Sequence, residues 1–403
     1  MKTLKKKIVA GALAFTLVGG AVIANPQKAE AASKPLNIKK VLNISAEGVE
    51  TPYDTFAFKF TPVSFNGDTN VTNDEKNTKG AIYVPFISTG VNYEPKDNTD
   101  NDSSTPGKQV IRETEDALKN VNWKNAGQYV YKVTEYSPYR NQFEDLKKNM
   151  TYSKAEYTVS IFVKELEDGT FEVYDIQIKK DKKDDGTVVE NAKKQEYTPG
   201  QGDDKKGNEF VFENNWDKKD GNDNPGGGPE IQAADKKGFA LRKTIAGGNP
   251  STTDRFTFSL NVAKPEGSHS DATNYSYYIV DANGAKSEKL TGEYGKNTEV
   301  ILKHNERVVF AEVLLGSKVT AKETKSGTYI GEVKSSKFNG TDGKASEGII
   351  GDQEGGNFVE FENKEQTPTG LLIDNLPFIA LIAVAGLGIF FFVKNRKEEE
   401  ALA

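Results

Sequence analysis

Apolar and polar residues alternate along much of the chain, which gives it a hydrophobic period of two. The alternation is clear at residues 56–60, 157–163 and 256–260, where every second residue is a large apolar one. Turn-forming residues separate these runs, and a helical period is weak outside one short segment, 112–119. The pattern predicts an all-β fold whose strands are arranged as in a sandwich.

A segment rich in Gly and Pro divides this β region once. Residues 217–237 contain the run Asn-Pro-Gly-Gly-Gly-Pro among charged residues and have no apolar period, which predicts a linker. The linker separates an N-terminal domain, 36–216, from a C-terminal domain, 238–364, and each has the length of a single domain. Two polar stretches of the first domain, 94–107 and 179–208, are predicted to be long loops.

The N-terminus has the pattern of a secretory signal peptide, predicted to span residues 1–31. Four lysines occur within the first seven residues, and an apolar run follows them. The run Ala29-Glu30-Ala31 supplies the small residues of a signal-peptidase site. We therefore expect the mature chain to begin at Ala32.

The C-terminus has the order of a cell-wall sorting signal. The motif Gln366-Thr367-Pro368-Thr369-Gly370 precedes a mostly apolar membrane segment, 371–393, and a charged cytoplasmic tail, 394–403. Pro368 favours an extended chain that can enter a protease cleft, and the apolar segment is long enough for a short span. A simple membrane anchor with an accidental Pro-Thr-Gly is the alternative interpretation.

The composition argues against several kinds of function. The chain has no cysteine, and its formal net charge of −6 does not suit a nucleic-acid-binding protein. Its two histidines, His269 and His304, lie among polar residues without a ligand partner at short spacing, so we expect both to be solvated, and we predict neither a metal nor a cofactor. Motifs of nucleophilic enzymes, phosphate loops and zinc proteases are missing from the sequence. We therefore expect no enzyme that turns over a substrate.

The two domains repeat one arrangement of three polar residues on apolar strand faces. Side chains alternate along a strand, so a Lys near the start of each domain shares a face with large apolar residues. A Glu in the middle of each domain and an Asn near its end do the same. In chain order these residues are Lys40, Glu135 and Asn214, and then Lys243, Glu323 and Asn363.

Each of these residues has an ordinary explanation when taken alone. A Lys at a strand end reaches water, a Glu there is exposed, and an Asn begins a turn. The repetition in the same order favours a shared chemistry instead. In an apolar pocket the Lys amine loses its proton and becomes a nucleophile, while a protonated Glu hydrogen-bonds the Asn carbonyl oxygen and shuttles a proton to the leaving ammonia. The predicted product is a Lys–Asn isopeptide bond that forms once and ties the first strand of a domain to the last.

The sequence also contains motifs that are similar to those of a known family. They are Leu36-Asn37-Ile38-Lys39-Lys40, Tyr129 to Glu135, Phe212-Glu213-Asn214, Leu241-Arg242-Lys243, Val319 to Glu323, Phe361-Glu362-Asn363, and the motif 366–370. With these motifs the chain resembles the sortase-assembled backbone pilins of Gram-positive bacteria, most closely the streptococcal two-domain pilins that carry the T antigen. The resemblance implies two tandem immunoglobulin-like domains of the collagen-adhesin B type. It also implies the isopeptide pairs Lys40–Asn214 and Lys243–Asn363, assisted by Glu135 and Glu323.

The resemblance further implies how subunits are joined. A sortase would cleave between Thr369 and Gly370 and link Thr369 to a lysine of the next subunit, for which Lys206 is the best match and Lys205 the alternative. The implied partners are a sortase, identical pilin subunits, accessory pilins and peptidoglycan, and the implied location is a wall-anchored surface pilus. The linker is longer and richer in Gly than this family leads us to expect.

Two other functions remain open from the sequence. A wall-anchored adhesin that binds a host ligand without polymerising would share the sorting signal, the β domains and the isopeptide bonds. A wall-anchored hydrolase would need a clustered pair of catalytic carboxylates or a further nucleophile, which the sequence does not show.

Overall fold

The computed structural model describes residues 33–46, 48–95, 108–199, 210–247 and 249–365, and the helical residues 380–382 and 384–385. The predicted signal peptide, the sorting motif, Lys205 and Lys206, and most of the predicted membrane segment lie outside the described residues. Among the residues that are described, no helix is long and apolar enough to cross a membrane.

The N-terminal domain is a sandwich of two sheets. Its strands are β1 (Lys39–Ile44), β2 (Asp54–Phe65), β3 (Val71–Thr72), β4 (Ile82–Tyr83), β5 (Ser88–Tyr93), β6 (Lys108–Glu113), β7 (Gly127–Tyr136), β8 (Met150–Thr151), β9 (Glu156–Glu165), β10 (Phe171–Lys182), β11 (Gln195–Glu196) and β12 (Val211–Trp216). One sheet has the strand order β6-β1-β12-β8, and the other has the order β11-β10-β9-β7-β2-β5. A short α-helix, α1 (Glu144–Asn149), precedes β8.

The C-terminal domain is also a two-sheet sandwich. Its strands are β13 (Lys219–Asp220), β14 (Ala240–Ile245), β15 (Phe256–Ala263), β16 (Asn274–Val280), β17 (Leu290–Glu293), β18 (Asn297–Leu302), β19 (Arg307–Leu314), β20 (Lys318–Lys325), β21 (Tyr329–Phe338), β22 (Thr341–Gly343), β23 (Glu347–Ile349) and β24 (Phe358–Glu365), and a 3₁₀ turn covers Ala234–Lys236. One sheet has the order β17-β16-β19-β14-β24-β21-β22, with β13 added to β19, and the other has the order β18-β15-β20-β23. The predicted all-β fold is therefore confirmed.

In each domain the first long strand pairs in parallel with the last one. β1 pairs with β12 so that Leu42 lies opposite Asn214, and β14 pairs with β24 so that Ile245 lies opposite Asn363. In both pairs the Asn is therefore opposite the residue two positions after the Lys. Because side chains alternate along a strand, this register places Lys and Asn on the same face of adjacent strands.

The segment predicted to be a linker is folded onto the C-terminal domain. Strand β13 pairs with β19, and Asp235 forms an ion pair with Arg307 in which both side chains are fully buried. Arg307 also donates hydrogen bonds to the backbone carbonyls of Gly226 and Gly228. The glycines expose their carbonyl groups to a guanidinium, so a composition typical of flexible linkers forms an ordered loop here.

Two local predictions in the N-terminal domain differ from the structure. The segment 112–119 does not form a helix, because its first residues belong to β6 and pair with β1. Pairing within the sheet overrides a weak helical period. The polar stretch 179–208 is a loop only in part, since β10 continues to Lys182 and β11 adds a short edge strand.

The two domains contact each other directly. Ser45 donates its hydroxyl to the Leu315 carbonyl at 3.4 Å, and the backbone N–H of Glu50 donates to the Asp352 carboxylate at 3.4 Å. The backbone N–H of Asp352 also donates to the Gly48 carbonyl. These polar contacts join the segment that follows β1 in the first domain to loops of the second domain.

Candidate cross-linking sites

The N-terminal site brings the three predicted residues together in the interior. Lys40 Nζ lies 3.0 Å from Glu135 Oε2, and Asn214 Nδ2 donates to Glu135 Oε1 at 2.8 Å. The side chains of Lys40 and Glu135 are 0% and 1% exposed, and Asn214 is 0% exposed. The Glu135 carboxyl group therefore bridges the amine nitrogen and the amide nitrogen without access to solvent.

The C-terminal site repeats this arrangement with its own residues. Lys243 Nζ lies 3.2 Å from Glu323 Oε1, and the same oxygen accepts a hydrogen bond from Asn363 Nδ2 at 2.8 Å. Lys243 and Asn363 are fully buried, and the Glu323 side chain is 9% exposed. Both domains thus hold a Lys and an Asn against one carboxyl group.

An aromatic floor lies beneath each Lys amine. Lys40 Nζ is 4.7 Å from the centre of the Phe56 ring, and Lys243 Nζ is 4.3 Å from the centre of the Phe256 ring. Each ring stands at the start of the strand that carries the alternating Phe residues. The sequence pattern identified these rings as core residues, but it did not assign them to the sites. An aromatic face favours an ammonium ion but gives an amine no proton acceptor.

A second pair of residues, an Asp and a Tyr, closes the same end of both sites. Asp54 accepts a hydrogen bond from the Tyr152 hydroxyl at 3.0 Å, and Asp254 accepts one from the Tyr329 hydroxyl at 2.6 Å. Each Tyr ring also packs against the floor, with Tyr329 edge-on to Phe256 at 5.3 Å. These residues were not predicted from the sequence, although an Asp lies two positions before the first Phe of the alternating run in both domains and could have indicated them.

Burial shifts the pKa values of the reacting groups. Loss of hydration lowers the pKa of the Lys40 amine and raises the pKa of the Glu135 carboxyl, because burial disfavours the charged form of each. Attraction between the two groups acts in the opposite direction and is the smaller effect. Burial likewise lowers the pKa of Lys243 to about 8. Both lysines therefore reach the neutral, nucleophilic form far more easily than a solvated lysine.

The hydrogen bonds of the Asn amides differ from the prediction. We expected Glu to contact the carbonyl oxygen of the amide, but in both sites Glu accepts from the nitrogen Nδ2. The carboxyl group therefore faces the atom that would leave as ammonia. This position suits a proton shuttle better than polarisation of the carbonyl.

The two histidines lie outside both sites. His269 is exposed, whereas His304 is partly buried and accepts a hydrogen bond at Nδ1 from the backbone N–H of Ile245. His304 therefore differs from the solvated residue that its polar neighbours predicted, since it supports the backbone at the end of β14.

Comparisons with known proteins give the following matches. A family profile described as a domain of unknown function, DUF7601, matches residues 237–365. A search of curated protein sequences finds no match.

Solved structures that are similar to the chain include pilus proteins. The major pilin from Streptococcus pyogenes is 17% identical, with an alignment that covers 83% of this chain and 99% of the pilin and a TM-score of 0.32. The T3.2 major pilin of the same species is also 17% identical, with coverages of 83% and 99% and a TM-score of 0.32. A pilus-presented adhesin is 11% identical, with coverages of 81% and 99% and a TM-score of 0.24.

Proposed function

We propose that the chain is the structural backbone subunit of a covalently polymerised surface pilus, with one self-formed isopeptide bond in each domain. The bonds are Lys40–Asn214 and Lys243–Asn363. The chain acts once on itself and does not turn over a substrate. The observation that carries the proposal is the duplicate site, in which a buried Lys, Glu and Asn join the first and last strands of both domains in the same register.

The reaction follows from the positions of the nitrogens. The neutral amine of Lys40 attacks Cγ of Asn214, and Glu135 accepts a proton from Nζ and delivers one to Nδ2, because it contacts both atoms. Ammonia leaves, and a neutral amide replaces a buried amine and a buried carboxamide. Glu323 performs the same transfer between Lys243 and Asn363. An unpaired buried charge is costly, so the folded domain favours the product.

The intact mass of the mature chain, 32–369, tests the proposal. Each bond expels one ammonia, so the purified protein is expected to weigh two ammonia molecules less than its sequence. Glu135→Ala and Glu323→Ala are each expected to abolish one of these losses and to lower the melting temperature of the affected domain. A mass equal to that of the unmodified chain would overturn the proposal for both domains.

Assembly is the second part of the proposal. The sorting signal, 366–370, and the acceptor lysine are predicted from the sequence, and both lie outside the described residues. We infer that a sortase forms an acyl-enzyme on Thr369 and that Lys206, or its neighbour Lys205, of another subunit attacks it. The enzyme must deprotonate this amine, since a solvated Lys has a pKa of about 10.4 and is charged at neutral pH.

Removal of the acceptor tests polymerisation in the producing cell. The double variant Lys205→Ala, Lys206→Ala is expected to lose the SDS-resistant ladder of wall protein while monomers are still secreted and attached to the wall. The matched control is Lys193→Ala, Lys194→Ala, which changes an exposed lysine pair of the same domain. Ladders that persist in the first variant would place the acceptor elsewhere. A wild-type wall fraction without ladders would favour the alternative, a wall-anchored adhesin that does not polymerise.

A further inference from the structure

The carbonyl oxygens of the two site asparagines have different surroundings. In the N-terminal site, the backbone N–H of Ser153 donates to Asn214 Oδ1 at 2.7 Å. In the C-terminal site, Asn363 Oδ1 is buried without a hydrogen-bond partner among the described residues. A backbone N–H can only donate, so Ser153 also fixes the amide orientation that turns Nδ2 of Asn214 toward Glu135.

Topology explains why only the first domain has this donor. Beside β12, the strand β8 ends at Thr151, so the chain leaves the sheet before it reaches Ser153. Beside β24, the strand β21 continues past the site, and Gly331 pairs opposite Asn363 within the ladder. The N–H of residue 153 is therefore available to a side chain.

Hydrogen bonds to Asp184 hold the Ser153 segment in place. Ser153 Oγ donates to Asp184 Oδ1 at 2.7 Å, and the backbone N–H of Lys154 donates to the Asp184 carbonyl at 2.9 Å. Asp184 Oδ1 also accepts the backbone N–H of Glu213, the residue that precedes Asn214, at 2.9 Å. The donor and the reacting amide are thus tied to the same carboxylate and keep a fixed separation.

We propose that the Ser153 N–H is an oxyanion donor for bond formation in the N-terminal domain. The inference rests on the proposed isopeptide chemistry and adds to it. When Lys40 Nζ attacks Cγ of Asn214, the carbonyl electron pair moves to Oδ1, and the Ser153 N–H stabilises the resulting negative charge. Glu135 then transfers a proton from Nζ to Nδ2, the carbonyl re-forms, the Cγ–Nδ2 bond breaks and ammonia leaves.

The two bonds should therefore form at different rates within one molecule. Removing a single oxyanion donor from an enzyme lowers its rate by roughly 10²–10³-fold. We expect the N-terminal bond to form faster than the C-terminal bond, and we expect it to lose this advantage when the N–H is removed.

The test follows both bonds during synthesis of the full chain in a cell-free system that contains a mild detergent. Samples are quenched at intervals, digested, and analysed by mass spectrometry for the two cross-linked peptides. The key variant replaces residue 153 with the hydroxy-acid analogue of serine, which exchanges the N–H for an ester oxygen and leaves the side chain intact. Ser153→Ala is the matched control, because it retains the N–H. The rate of formation of the C-terminal bond serves as the internal reference in every sample.

The expected result is a fall of at least tenfold in the rate of the N-terminal bond in the ester chain and an unchanged C-terminal rate. Ser153→Ala should show a smaller fall than the ester, because it loses the hydroxyl bond to Asp184 but keeps the N–H and the Lys154 anchor. Folding is checked in a Lys40→Ala background, where no N-terminal bond forms and protease resistance reports the fold of the domain. Slow bond formation in an ester chain that keeps its protease resistance supports the proposal. Equal rates for ester and amide, or a slow rate that accompanies lost resistance, overturn it. A wild-type chain that forms neither bond would instead refute the proposed function.

Discussion

At the scale of single residues, the C-terminal site depends on the absence of a side chain at position 331. A Cβ atom on Gly331 would lie 2.3 Å from Glu323 Oε2 and 2.5 Å from Asn363 Oδ1. Real Cβ contacts are not this short, so any larger residue must displace the carboxyl group or the amide. The glycine thus keeps the carboxyl group and the amide in their reactive positions.

Gly331→Ala is therefore expected to prevent the Lys243–Asn363 bond and leave the N-terminal bond intact. Intact mass should show the loss of one ammonia where the wild-type chain loses two. The control is Gly343→Ala, in which the nearest atom lies 3.6 Å from the added Cβ. Two losses in the Gly331 variant would show that the site adapts to a methyl group.

The lowered pKa of Lys243 predicts how stability depends on pH when the bond cannot form. Burial lowers the pKa of Lys243 to about 8 in the folded domain, against 10.5 for a solvated lysine, and Asn363→Ala leaves this amine unreacted and free to titrate. Between these values the unfolded chain binds more protons, so the free energy of unfolding should rise with pH from about 8 to 10.5, by at most about 1.4 kcal/mol per pH unit. Below pH 8 Lys243 is charged in both the folded and the unfolded chain, so the free energy of unfolding is lowered by the full cost of burying a charged amine.

Urea unfolding across pH 7 to about 11 measures this dependence. The comparison is with Lys243→Met in the same Asn363→Ala background, where the rise should disappear. A difference between the two variants that stays constant with pH would mean that Lys243 does not titrate in this window.

The candidate sites could be predicted from the sequence only as far as side-chain identity determines them. Lys40 and Lys243 were found because a charged residue on an apolar strand face is conspicuous at a period of two. The role of Phe56 in the site could not be predicted, because the same period of two marks it only as a core residue. Ser153 contributes a backbone N–H, and no residue type signals such a donor, because its direction depends on where β8 ends.

At the scale of elements, the segment 217–237 shows how composition can mislead. Its Gly and Pro content and its charges are those of a linker, yet its ion pair of Asp235 with Arg307 is fully buried. Arg307 follows Asp235 by 72 residues in the chain, and the two side chains are in contact in the folded domain. A local sequence pattern therefore gave no sign of this contact. The strands could be predicted because alternation is a local pattern. The docking of this segment could not be predicted, because it depends on residues that are distant in the chain.

Asp235→Ala is expected to destabilise the C-terminal domain by about 3–5 kcal/mol, since it leaves a buried guanidinium without its counter-ion. The measurement is urea unfolding in the Glu323→Ala background, where no bond masks the effect. The matched control is Asp223→Ala. Asp223 belongs to the same segment, and its ion pair with Lys289 is exposed, so it should contribute about 0–1 kcal/mol. Equal effects of the two variants would show that the buried pair does not anchor the segment.

At the scale of the whole molecule, the parallel pairing of first and last strands determines how each domain carries load. A pull on the two ends of a domain draws β14 and β24 in opposite directions, and it does the same to β1 and β12. Hydrogen bonds between these strands would bear the load in shear if the domains had no cross-link. A bond between Lys243 and Asn363 would carry it covalently and shield every residue between them.

Single-molecule extension of the mature chain, held at residues 33 and 365, should therefore show no unfolding of either cross-linked domain in the wild type. Undocking of residues 215–242, which lie between the two bonds, can add only about 100 Å. Glu323→Ala frees residues 244–362, and at about 3.5 Å per residue their unfolding should add on the order of 400 Å. Glu135→Ala frees residues 41–213 and should add on the order of 600 Å by the same reasoning. The two lengths differ enough to identify which domain has opened. Unfolding steps of these lengths in the wild-type chain would mean that neither bond lies in the load path, because a closed Lys–Asn bond cannot extend without rupture.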